Sequence, residues 1–140
     1  MDKQETIIAQ WQTCVEMANS VSQRRDNMNN IFVTLNLAIV AAVSFTWDIK
    51  SIIILIAGVV ICIIWLFFIR NYKLLNKAKF DVINKLEEQL PFSPFKDEWV
   101  ILKGTKKYRD GTKLESVLAT TFVLIYIASI TAIAMDIGGR

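Results

Sequence analysis

Three long stretches of this 140-residue chain contain no charged residue. They cover residues 31–47, 51–69 and 116–135, which makes them 17, 19 and 20 residues long. A helix needs about 17–25 mostly apolar residues to cross the hydrocarbon core of a bilayer. A soluble chain of this length could bury one such stretch but not three. The sequence therefore predicts an all-α integral membrane protein whose third transmembrane helix covers residues 114–137, before a short tail at 138–140.

The basic residues are distributed unevenly. Of 16 Lys and Arg, three lie in residues 1–30 and 11 in residues 70–113, and the other two are Lys50 and Arg140. Short segments rich in Lys and Arg stay in the cytoplasm, so we expect these two segments inside and residues 48–50 and the C-terminus in the periplasm. Contact with anionic lipids is a secondary expectation. Nucleic acid is not expected, because the basic residues alternate with acids and form no aromatic-rich patch.

The first 23 residues have the periodicity of an amphipathic helix. Its apolar stripe consists of Ile7, Ile8, Trp11, Val15, Ala18 and Val21. Nothing before the end of the first span breaks a helix, so residues 1–30 should form a cytoplasmic helix continuous with that span, as one helix or two nearly collinear ones. A short turn then separates the first two spans. Residues 31–70 should therefore form a tight transmembrane hairpin.

The second span should continue as a helix into a cytoplasmic segment at residues 71–113. Its apolar stripe consists of Leu75, Ala78, Val82, Leu86 and Leu90. Pro91 and Pro94 should end this helix, and a short apolar element at residues 99–102 should dock against the helical extensions. The residues predicted to pack in the cytoplasmic part are Trp11, Val15, Leu75, Val82, Leu86 and Trp99.

The chain carries no motif that points to catalysis. It has no histidine, no Gly-rich phosphate loop and no serine elbow. Glu87 and Glu88 are expected to be a solvated surface pair. Cys14 is expected in the cytoplasm and Cys62 within the second span, so neither a disulfide nor a metal site is expected between them. We therefore expect no enzyme activity, metal or cofactor.

Asn36 is the most costly polar residue within the spans, because a buried amide must replace its hydrogen bonds to water. Ser22, Arg25, Asn29 and Asn36 follow one helical stripe. Such a stripe cannot face lipid tails, so it faces other protein or water held by protein. Interhelical hydrogen bonding is the expected role, and lining of a pore is the alternative. Three spans are few with which to enclose the stripe, which favours repeated copies around an axis.

Depth in the membrane suggests how the first and third spans pair. At about 1.5 Å per residue, Asn36 lies at the depth of Thr120 and Thr121, and Ser44 lies within reach of Tyr126. We therefore expect these spans to pack together, within or between protomers, through polar pairs and a face of small residues. The predicted interhelical or intersubunit residues are Arg25, Asn29, Asn36, Ser44, Thr120, Thr121, Tyr126, Ala128 and Ala132.

Two segments resemble a known family. They are "NNIFVTLN" at the entry to the first span and "FDVINKLEEQLPFSPFKDEWVIL" after the second. With the hairpin between them, they resemble small bacterial inner-membrane proteins of the RipA family, which are described as octameric. More distantly, the chain is similar to two-span membrane effector domains found beside bacterial nucleotide-signalling defence genes. The likeness covers residues 20–103 and implies a homo-oligomer, an octamer, in the bacterial cytoplasmic membrane. It identifies no functional residue.

Two functions of different classes follow from these features. The first is a homo-oligomeric inner-membrane scaffold or regulator, whose cytoplasmic helical ring binds an unidentified cytoplasmic partner. The second is a pore or channel, such as an anti-phage effector. The face that carries Asn36 continues through Val40 and Val43 to Trp47. A polar lining therefore does not extend through the whole first span, which favours the scaffold.

Overall fold

The computed structural model describes residues 2–139, and these form four helices: α1 (Lys3–Phe45), α2 (Ile49–Glu87), α3 (Pro94–Gly104) and α4 (Gly111–Gly138). No β-strand occurs among the described residues. Helices α1, α2 and α4 are each long and apolar enough to cross a membrane. With 43 and 39 residues, α1 and α2 are also much longer than the ~20 residues that a bilayer requires. The prediction of an all-α protein with three candidate spans and helical extensions is confirmed.

The helices pack as two units. We call residues 26–70 and 111–139 the apolar unit, and residues 2–25 and 71–110 the polar unit. Helices α1 and α2 contribute residues to both units, α3 belongs to the polar unit, and α4 belongs to the apolar unit.

The core of the apolar unit is built from α1, α2 and α4. Its buried side chains are Ile39, Val43, Leu55, Cys62, Trp65, Ile69, Ala119, Phe122, Tyr126 and Ile133. Large apolar side chains also cover the outside of this unit, among them Ile53 and Leu124. An apolar exterior suits hydrocarbon as the surrounding solvent, whereas buried backbone and side-chain polar groups must find partners within the protein.

The turn between α1 and α2 consists of residues 46–48. Asp48 caps α2, because its carboxylate accepts the backbone N–H of Ser51, with 3.1 Å between Oδ1 and N. The Ser51 hydroxyl donates to the carbonyl oxygen of Thr46 and closes the turn. The cap starts α2 at Ile49, before the uncharged stretch begins, and Trp47 is exposed in the turn.

In the polar unit, α2 ends at Glu87, before Pro91 is reached. The prediction that Pro94 helps to end this helix is wrong, because Pro94 is the first residue of α3. Proline suits that position since the first N–H of a helix has no intrahelical partner and the ring pre-sets φ.

The predicted packing stripe of α2 is displaced by one residue. Ile83 and Glu87 are fully buried, whereas Leu75 and Val82, which the sequence pattern placed inside, are exposed. A shift of one residue rotates a helix face by about 100°, so both stripes have helical spacing but only one is buried. Trp99 is also exposed instead of docked. The remaining predicted packing residues, Trp11, Val15 and Leu86, are half-buried.

Candidate functional site

Asn36 is fully buried and lies at the meeting point of α1, α2 and α4. Its side-chain oxygen accepts the Tyr126 hydroxyl at 2.6 Å and the Cys62 thiol at 3.1 Å. Its amide nitrogen donates to the backbone carbonyl of Phe32 at 2.7 Å. One side chain from each of the three apolar helices therefore takes part in a single hydrogen-bonded cluster, which offsets most of the cost of burying the amide.

Gly58 provides the space that Tyr126 occupies. A Cβ atom on Gly58 would lie only 2.7 Å from Cε2 of the Tyr126 ring, closer than carbon atoms normally approach. The absence of a side chain lets the phenol lie directly against the backbone of α2, as small residues do at helix contacts in membranes. The close approach of α2 and α4 is therefore made at this glycine.

A second layer joins Asn29 to Trp65, which is fully buried. The Trp65 indole N–H donates to Oδ1 of Asn29 at 2.8 Å, and its ring stacks on Phe32 with 5.6 Å between ring centroids and 2° between planes. Asn29 and Asn36 are two turns apart on the same face of α1. The asparagines of the predicted polar stripe thus bond within one protomer. Arg25, also on that stripe, is half-buried and groups with the polar unit.

The predicted pairing of Asn36 with Thr120 and Thr121 is wrong within the protomer, as is that of Ser44 with Tyr126. Each of the three hydroxyls donates at 2.8 Å to the carbonyl four residues earlier in its own helix. A hydroxyl that is hydrogen-bonded within its own helix needs no partner on another helix. These residues can therefore lie on the outer faces of the helices.

Ala128 and Ala132 do not form the expected helix contact within the protomer either. Both are exposed, whereas Tyr126 and Ile133 are the buried positions on that part of α4. The contact with α2 selects the face of α4 that carries Tyr126, because Gly58 leaves room for a ring there. The two alanines are therefore turned away from that contact.

Glu87 forms a second buried polar site, in the polar unit. The side chain is 0% exposed, and its carboxylate accepts the Trp11 indole N–H at 3.3 Å and the backbone N–H groups of Phe95 and Lys96 at 3.2 and 3.3 Å. These two amides lie in the first turn of α3, where Ser93 makes no side-chain capping bond. Glu87 therefore caps α3 from another helix, and its negative charge also favours the positive end of the helix dipole.

The expectation that Glu87 and Glu88 form a solvated pair is wrong for Glu87. Glu88 is exposed and forms a surface ion pair with Lys96, with 3.8 Å between the carboxylate oxygen and the ammonium nitrogen. The sequence did contain a signal, because Glu87 continues a stripe that includes Phe80, Ile83 and Leu90 at spacings of three and four. The groups that donate to Glu87 are an indole on α1 and two backbone amides of α3. Glu87 therefore holds these helices together, which is a structural role.

The described residues include no group of three or more His, Cys, Asp or Glu side chains that could hold a metal ion. Three candidate spans, their long extensions and their buried hydrogen bonds define a polytopic α-helical membrane protein.

The chain belongs to the octameric membrane protein family (8xMP), whose profile matches residues 8–135. The match includes most of α4, which lies outside the segments that resemble the RipA proteins. Comparison with curated proteins and with solved structures gave no match. The narrower RipA assignment and the link to defence effectors stay predictions.

Proposed function

We propose that this protein is a non-enzymatic, homo-oligomeric scaffold of the bacterial cytoplasmic membrane, assembled from eight copies as the family's name describes. Its polar unit then lies in the cytoplasm, as the basic residues of the sequence favour. There, eight polar units would form a ring that presents repeated binding sites to a cytoplasmic partner, beside anionic lipid headgroups.

One observation carries the choice of a scaffold over a pore: the buried amide of Asn36 is bonded within the protomer. Its oxygen has two donors, from Tyr126 and Cys62, and its nitrogen has an acceptor in Phe32. Asn29 is likewise bonded to Trp65. A conducting path needs polar groups that face its axis, and these asparagines are already occupied inside each copy.

The hydroxyls of the spans support the same choice. Ser44, Thr120, Thr121 and Thr131 are exposed, and each donates to a carbonyl of its own helix at 2.8–2.9 Å. Hydroxyls bonded in this way are compatible with an apolar surrounding. They do not require a water-filled channel.

Two measurements on the purified protein test the proposal. Light scattering in mild detergent should give one species of eight chains of 16.0 kDa, about 128 kDa of protein. The same preparation in planar bilayers should show no unitary current. A monodisperse monomer after gentle extraction contradicts the oligomer, whereas reproducible single-channel steps favour the pore.

Asn36→Leu distinguishes the two functions further. In a scaffold this change weakens the helix contacts and leaves ion flux at its baseline value. If instead the variant is as stable to unfolding as the wild type and ion flux changes sharply, then Asn36 lines a water-filled path.

A further inference from the structure

A closed ring of identical chains uses head-to-tail contacts, in which each copy presents two different surfaces to its two neighbours. If the protein is the ring proposed above, each protomer must therefore carry a complementary pair of surfaces. The polar unit carries two unlike apolar surfaces, one concave and one convex.

The concave surface, which we call the groove, lies between α1 and α2. It is lined by Cys14, Met17, Ala78, Lys79 and Val82, and its volume is about 270 Å³. Met17 and Val82 are about half exposed, although both are large apolar side chains. Val82 is one of the residues that the sequence pattern assigned to packing. An apolar groove outside the membrane-crossing part of a chain indicates a contact that the isolated protomer does not make.

The convex surface, which we call the ridge, consists of Asp97, Val100 and Ile101 on α3. These residues share one helix face, since they are spaced by three and four positions. Val100 and Ile101 are 65% and 70% exposed. Two adjacent β-branched side chains so far exposed on a short helix are costly in water, at roughly 25 cal/mol per Å² of apolar surface.

The opposite side of α3 holds the ridge in place. Phe95 packs against Trp11 and Phe80, with ring centroids 6.0 and 5.7 Å apart. The Glu87 carboxylate binds the first turn of the same helix. The ridge is thus fixed in an outward orientation, and it cannot rotate to bury itself in its own unit without breaking these contacts.

The charges at the two surfaces are complementary. Lys79 lines the groove, and Asp97 lies on the ridge. We propose that the ridge of one copy seats in the groove of the next, with Val100 and Ile101 against Met17 and Val82 and with Asp97 directed towards Lys79. An isologous pairing of ridge with ridge would bring like charges together.

A lipid surface is the other candidate for the ridge, but its charge argues against this. Asp97 and the neighbouring Glu98 are both exposed acids, and anionic headgroups repel them. The two lysines of α3 already face other groups, because Lys96 lies 3.8 Å from Glu88 and Lys103 lies 5.2 Å from the centre of the Trp99 ring. A second copy offers the ridge both an apolar groove and a lysine.

Cross-linking in membranes tests the contact directly, because the groove already contains a thiol. Ile101→Cys places a second thiol on the ridge, and mild oxidation or a short bismaleimide should then link it to Cys14 of the neighbouring copy. The sample is denatured in an excess of blocking maleimide, so that Cys62, which is buried in the folded protein, is capped before it can cross-link or exchange. We expect a ladder of covalent species from two chains up to eight.

Two control variants show which residues the ladder joins. Adding Cys14→Ser to Ile101→Cys should abolish it, because the link joins groove to ridge. Residual dimers in that double variant would indicate ridge-to-ridge pairing and overturn the proposal. Trp99→Cys places a thiol on the same helix, at a position that is about half exposed and rotated by about 200° from Ile101, and it should give no ladder with Cys14.

Assembly in solution gives a second measurement. Ile101→Asp puts a charge into the groove contact and should convert the species of eight chains into monomers by light scattering, whereas Trp99→Asp, on the other side of α3, should leave the mass unchanged. The helix content of each variant, measured by circular dichroism, shows whether the protomer is folded.

The outcomes separate this inference from the proposed function. If the wild type is a monomer, the proposed scaffold fails and the ridge contact fails with it. If the wild type is an oligomer, Ile101→Cys gives no ladder and Ile101→Asp leaves the mass unchanged, only the ridge contact is overturned. If Ile101→Asp keeps the assembly and a water-soluble maleimide labels Ile101→Cys in detergent but not in vesicles of anionic phospholipid, the ridge is a membrane-docking surface instead.

Discussion

The hydrogen bond between Asn36 and Tyr126 allows a quantitative test of the apolar unit. Tyr126→Phe removes the hydroxyl that donates to Oδ1 of Asn36 at 2.6 Å and keeps the ring that lies against Gly58. The Cys62 thiol, 3.1 Å from the same oxygen, remains as a weak donor. The oxygen is then only partly unsatisfied.

The expected loss follows from this geometry. Interhelical hydrogen bonds in membranes contribute about 0.6–2 kcal/mol. Because the thiol remains, we expect Tyr126→Phe to lower the free energy of unfolding by about 1 kcal/mol, near the middle of that range. This corresponds to about a fivefold change in the equilibrium constant.

Asn36→Leu removes the acceptor instead. The Tyr126 hydroxyl then has one alternative, the backbone carbonyl oxygen of residue 36, which is 3.3 Å away. Redirection to that oxygen should limit the cost to about 1–2 kcal/mol. Asn36→Asp should be worse, because a carboxylate at this buried position must either take up a proton or admit water.

The assay is a double-mutant cycle on unfolding in detergent or bicelles, with the wild type, Asn36→Leu, Tyr126→Phe and the double variant. If the two side chains bond to each other, the double variant should lose less stability than the sum of the single losses. The expected coupling is about 0.6 kcal/mol or more. Additive losses, within about 0.3 kcal/mol, would refute the direct bond and with it the internal role of Asn36.

Three further predictions concern other parts of the chain. Gly58→Ala should lower the free energy of unfolding by about 1–3 kcal/mol, because the added Cβ displaces the packed ring of Tyr126. If the variant unfolds at the same denaturant midpoint as the wild type, the close contact is contradicted. Glu87→Gln should weaken the cap of α3 by about 1–2 kcal/mol, because the two backbone amides lose a charged acceptor. Hydrogen exchange of those amides should accelerate, whereas Glu88→Gln, at an exposed position, should leave it unchanged. In a cysteine-free background, Lys50→Cys should react with an impermeant reagent from the periplasm and Lys106→Cys should not, and the reverse pattern would invert the proposed topology.

The order of residues was sufficient to predict the number and length of the apolar helices. A bilayer has a fixed hydrocarbon thickness, so uncharged stretches of 17, 19 and 20 residues are diagnostic without any knowledge of packing. The absence of breakers in the first 45 residues likewise predicted the long α1. The length of a span depends on the thickness of the bilayer, and the continuity of a helix depends on residues that are neighbours along the chain. Both can therefore be read from the sequence.

Which side of each helix is buried depends on contacts between helices that are distant in sequence. Two stripes one residue apart on α2 both have helical spacing, and Ile83 and Glu87 are buried because Glu87 also caps α3. Likewise, depth in the membrane predicted that Asn36 pairs with Thr120. In the structure Gly58 leaves room for the ring of Tyr126, and the Thr120 hydroxyl bonds within its own helix. Charge patterns show where a span ends. The rotation and stagger of a helix depend instead on how its side chains fit those of the neighbouring helices, which are distant in sequence.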